Sequence, residues 1–157
     1  MIFGKRLSEY VAFEKGVLAL IAVVGIVKLA LSLAGVPDAT TRYVSITVVG
    51  IAAAAYLGIV THTKGFGSYR QLLPLMVIIG IVSNTIVVAG ILISAATGKA
   101  NIFTANEYGG GLSLPIHIGG HVVGGMIIGP LMAWALSSLV MFVTKKVTPA
   151  RPAVATA

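Results

Sequence analysis

Four long apolar runs, nearly or wholly free of charge, constrain this chain more than any other feature it has. The first is Gly16 to Ala34, interrupted by Lys28. The second, Tyr43 to Thr61, and the third, Leu72 to Ala96, carry no charge. The fourth runs from about His121 to Thr144, inside a stretch from Tyr108 to Thr144 with no Asp, Glu, Lys or Arg. A helix crosses the hydrocarbon core of a bilayer with about 20 apolar residues, and lipid leaves the backbone no partner but itself. The runs therefore predict an all-α integral membrane protein. Its architecture is a four-transmembrane-helix bundle formed by residues 1–146, with 147–157 a flexible tail.

Composition closes the alternatives. Of 157 residues, 57% are hydrophobic and 10% are charged, whereas a soluble domain carries roughly 25% charge. Four acids and eleven bases cannot coat a soluble fold of this size. A soluble enzyme, a disordered chain and a nucleic-acid-binding domain are excluded on that ground. The absence of cysteine removes disulfides, thiolate ligands and cysteine catalysis. The first run is too long for a signal-peptide core and lacks a small-x-small cleavage site before a polar start.

The net charge of +7 would suggest an acidic partner in a soluble protein, but its placement here points to orientation. Lys5, Arg6, Lys15, Lys64, Arg70, Lys145, Lys146 and Arg151 fall on one side of the four runs, and only Arg42 and Lys99 on the other. By the positive-inside rule both termini are cytoplasmic (N-in, C-in), and the expected location is a bacterial plasma membrane. Tyr10, Phe13, Tyr43, Tyr69, Phe103, Tyr108 and Phe142 lie near the expected span ends, where aromatic rings suit the headgroup layer. Residues 1–15 can also form an in-plane helix, with Ile2, Phe3, Leu7, Tyr10 and Phe13 toward lipid. The one long connection, from Thr97 to about Gly120 on the outer side, contains three successive glycines and Pro115, and any outer site is expected to include it.

Lipid supplies no hydrophobic force between helices, so close packing relies on small residues. Gly125, Gly129, Ala133 and Ser137 recur every four residues in the fourth run, beside Gly120 and Gly124. Gly50, Ala54 and Gly58 repeat the pattern in the second. These lines predict helix packing, within the bundle or against another subunit. His117 and His121 extend the fourth-run line by the same step. With a helix starting near Pro115, both imidazoles share a face with the glycines, a pattern that suits a transition metal or one axial ligand of a haem. Glu107 is the third candidate metal ligand, though zinc normally takes three or four protein ligands.

Two further polar residues lie within the runs. Asn84, flanked by Ser83 and Thr85, sits near the centre of the third, where an amide needs a partner and should face protein. Lys28 precedes Gly35 by seven residues, about 10 Å at 1.5 Å per residue, so its stem can snorkel toward the outer interface. Asp38 and Glu107 are alternative partners for its charge. No nucleophile–base constellation, phosphate loop or His-Glu-x-x-His motif occurs. The expected function is that of a subunit in a homo-oligomeric or larger membrane complex, joined through the glycine-lined faces, with the bilayer and other membrane subunits as partners. Two alternatives stand beside it. One is an oligomeric channel or small-solute transporter with Asn84 and Lys28 near the path. The other is a haem- or metal-binding redox subunit using His117 and His121.

Overall fold

The computed structural model describes residues 1–148, and these are helical with no strand among them. Four helical rods are long and apolar enough to cross a membrane. The first is α1 (Leu7–Leu33). The second combines a short α2 (Asp38–Thr41) with α3 (Ile46–Thr63). The third is α4 (Tyr69–Thr97). The fourth runs from Leu114 to Val147 as α5 (Leu114–Gly120), a π-helical segment (His121–Ile128) and α6 (Gly129–Val147). The tail expected at 147–157 lies outside the described residues beyond Thr148.

Local chemistry sets the rod ends. Glu9 accepts from the Arg6 N–H at 2.7 Å and opens α1. Ser45 accepts from the Val48 N–H to open α3. Ser68 and Gln71 form a reciprocal box before α4. At the other end of α4, Gly98 takes φ +69, a left-handed cap that a side chain would strain. Because α1 is continuous from Leu7, there is no separate in-plane helix before Gly16. Residues 2–5 instead form a tight turn.

The start of the chain, the end of the fourth rod and the α3–α4 turn meet at one end, called here the terminal end. Gln71 Nε2 donates to the Phe3 carbonyl at 2.8 Å, and His62 Nε2 donates to the Thr148 carbonyl at 2.9 Å. The central core is built around Tyr10, Ile21, Leu57, Leu72, Leu75, Met76 and Met141. Two rings expected at the interface are therefore interior. Tyr10 is fully buried, donating its hydroxyl to the Ile2 carbonyl, and Phe103 is buried in a second cluster with Ile91 and Ile102. The turn at 2–5 and the long connection fold back over the helix ends and cover them.

That long connection is a cap. Its two 3-10 turns, Ile102–Thr104 and Asn106–Tyr108, are tied to the rods at the loop end. Asn101 donates to the Gly90 carbonyl at 2.7 Å, and the Ile102 N–H donates to Ser32 Oγ at 2.7 Å. Gly90 leaves the space that the Phe103 ring fills.

α4 packs against α1, α3 and the fourth rod. α3 and α6 meet closely at Gly58, where a Cβ would come within 2.5 Å of the Ser137 carbonyl. Toward the loop end α3 runs beside α6 but not along the π segment, so the second and fourth rods splay apart.

Candidate functional site

The splay opens a cavity of about 570 Å³ between α3, α4 and the fourth rod, roofed by the cap. Its polar side chains are Lys28, Ser45, Thr47, Ser83, Asn84, Tyr108 and His121, and the rest of the lining is apolar or glycine. Ile51 and Met132 line it while being 56% and 69% exposed, so it opens sideways between α3 and α6. Toward the terminal end it stops at Ala54, Met76 and Leu136. Below them Leu57, Leu72, Leu75 and Met141 are fully buried, which closes the bundle. The cavity is a pocket with a lateral mouth, closed toward the terminal end by these side chains.

One hydrogen-bonded unit lies at its centre. Asn84 Nδ2 donates to the Gly80 carbonyl at 2.9 Å, which turns Oδ1 toward His121 Nδ1 at 3.1 Å. A carboxamide oxygen only accepts, so Nδ1 is the protonated nitrogen of this pair. The contact exists because the fourth rod comes very close here. A Cβ on Gly125 would collide with the Asn84 amide, and one on Gly80 would come within 2.5 Å of the Pro130 ring. Asn84 thus pairs with a side chain on another helix, as a mid-bilayer amide requires.

The π segment is part of this arrangement. Pro130 has no N–H and its ring opposes the carbonyl four residues back. The glycines preceding it weaken the α-helical ladder further. The helix widens instead, and the Gly129 N–H reaches the Gly124 carbonyl, five residues earlier. Such widened turns are frequent at functional sites.

The Lys28 side chain extends to the aromatic rings of the cap. It is 5% exposed, with Nζ 5.1 Å from the Tyr108 ring centre and 5.9 Å from that of Phe103. The cap has folded over it. Neither Asp38 nor Glu107 is paired with it, and among the described residues Lys5 with Glu9 forms the sole ion pair.

The remaining candidates divide. His117 is 5% exposed and its ring centre lies 5.3 Å from that of His121, yet His117 is outside the cavity lining and its Nε2 has no partner. Glu107 is exposed on the cap. No group of three or more His, Asp or Glu that could hold a metal ion occurs among the described residues. Gly50, Ala54, Gly125, Gly129 and Ala133 line the cavity, whereas Gly58 carries the α3–α6 contact. Gly120 and Gly124 face open space.

Several site residues gave no signal in the sequence. Ser45 and Thr47 looked like the start of a span, and Phe103 and Tyr108 like interfacial rings. Pro130 was the available clue to the π segment. Glu14, at the terminal end, is also unforeseen: it is 1% exposed and both carboxyl oxygens lack a partner. It borders a second, largely apolar groove between α1 and α3, with no polar cluster like that of Asn84 and His121. No protein family, curated protein or solved structure matches this chain.

Proposed function

We propose that this protein binds a small molecule dissolved in the bilayer, which enters sideways between α3 and α6. The observation that carries this reading is the cavity itself: apolar over most of its wall, polar at a few convergent points, and open at Ile51 and Met132. Its volume of about 570 Å³ falls in the usual range for small-molecule sites, and a mostly apolar lining with a few placed polar groups is their usual character. The closed terminal half favours binding or hand-over of the ligand above conduction through a single bundle. The excess of bases at the terminal end supports a cytoplasmic location for both termini, with the cavity in the outer half of a plasma membrane.

The test is to fill the cavity. Gly50 lines it and has nothing within 4 Å of a built Cβ, so Gly50→Trp occupies the space without disturbing the helix contacts. Native mass spectrometry of protein drawn from its own membrane should show a stoichiometric small molecule on the wild type and none on Gly50→Trp. Identical spectra for the two would refute the reading.

A specific observation also favours membership of a larger assembly. Gly119, Gly120 and Gly124 have nothing near them within the chain, and Val122, Val123 and Ile127 beside them are exposed. This face of the fourth rod suits close approach of another helix. Cross-linking through Gly124→Cys in membranes, giving a dimer or a defined hetero-adduct, checks it.

A further inference from the structure

Lys28 is the only lysine, arginine or acid in the cavity lining. The residue is 5% exposed, its ammonium keeps accessible surface at the cavity wall, and among the described residues no carboxylate pairs with it. Its neighbours are the faces of Tyr108 and Phe103. Aromatic faces attract a cation, but they replace only part of the water that a buried charge loses, and such a charge is normally paired. The cap is held in place over Lys28: Phe103 is wedged beside Gly90, and Asn101 and Ile102 are tied to α4 and α1. The cavity therefore presents one uncompensated positive charge at its loop end.

The rest of the wall dictates what accompanies the counter-charge. From Lys28 toward the terminal end the lining passes through Ile46, Ile51, Ala54, Ile79 and Leu136. From Ile46 to Ala54 the wall runs about 12 Å at 1.5 Å per residue, the reach of a medium-length alkyl chain. Ile51 and Met132 at the mouth place the far end of that chain against lipid.

We propose that Lys28 is the head-group ligand of this cavity, and that the occupant is a single-chain amphiphile with a carboxylate head. One ammonium matches one negative charge, and a chain that leaves through the mouth stays in apolar surroundings. This assignment rests on the lateral-cavity reading above. It adds the charge and chemical class of the head group.

The experiment uses the full chain in phosphatidylcholine nanodiscs, with radiolabelled dodecanoate, dodecanol and dodecyl phosphate as probes. Wild type should bind dodecanoate saturably and at least tenfold more tightly than dodecanol. K28Q should bring dodecanoate down to the affinity of dodecanol while leaving dodecanol binding unchanged, which also reports that the variant is folded. K28R should keep most of the preference. Should K28Q not fold, the wild-type preference for dodecanoate over dodecanol decides by itself. Equal binding of acid and alcohol by the wild type overturns the head-group assignment and leaves the cavity reading standing. A Lys28-dependent preference for dodecyl phosphate over dodecanoate overturns the carboxylate. Absence of saturable binding by any probe overturns the amphiphile assignment, and the cavity reading then stands or falls on the Gly50→Trp mass spectra alone.

Discussion

Asn84 is an expensive side chain to hold in the middle of an apolar helix, and it is tolerated because both ends of its amide are satisfied. One bond stays within α4, to the Gly80 carbonyl; the other crosses to His121. The crossing bond depends on a missing Cβ at Gly125. Gly125→Ala should therefore destabilise the bundle by about 1–3 kcal/mol, the usual cost of overpacking a filled interior. Gly124→Ala is the matched control: its Cβ meets nothing, and the substitution should leave stability unchanged or raise it by up to about 1 kcal/mol, the helix-propensity gain. Denaturation in mixed micelles, followed by Trp134 fluorescence, measures both. From the sequence, Asn84 and the glycine lines were visible separately. That the amide, the imidazole and the glycine form one contact was not, because partners across two helices depend on rotation and crossing point, which neither helix's own residues specify.

At the scale of elements, the fourth rod departs most from a regular helix. Its apolar pattern predicts a span from about His121, but the rod begins at Leu114 and changes winding at His121. Pro130 explains the change, since a residue that cannot donate forces the ladder to find another register. Pro130→Ala restores the donor and should shorten or remove the widened turn. The expected readout is a shift in the side-chain nitrogen resonances of His121, because rotating the segment breaks its bond to Asn84. Unchanged resonances would mean that the glycines, and not the proline, set the winding. The cap is the other element the sequence left open. Its length marked it as functional or disordered and as part of any outer site, yet nothing local announced that Phe103 would enter the bundle beside Gly90 or that Lys28 would end beneath it. Those contacts join residues far apart in the chain.

On the scale of the whole molecule, four rods with apolar surfaces match a bilayer as solvent. Leu139 at 61%, Ile26 at 60% and Val23 at 58% exposure would be a liability in water, whereas lipid accepts them. The absence of native cysteine makes orientation directly measurable. Lys99→Cys should react with a membrane-impermeant thiol reagent added to intact cells, and Lys64→Cys only after permeabilisation. The reverse pattern would invert the proposed topology. The number of rods, and the common end at which the first begins and the fourth finishes, follow from the sequence alone. They rest on length, hydropathy and an odd or even count of crossings, which are additive along the chain. The cavity, the burial of Lys28 and Glu14, and the meeting of Asn84 with His121 were decided only by tertiary structure. Between helices in lipid the forces are short-ranged packing and single hydrogen bonds, and these act only once the rods have found their rotation and tilt.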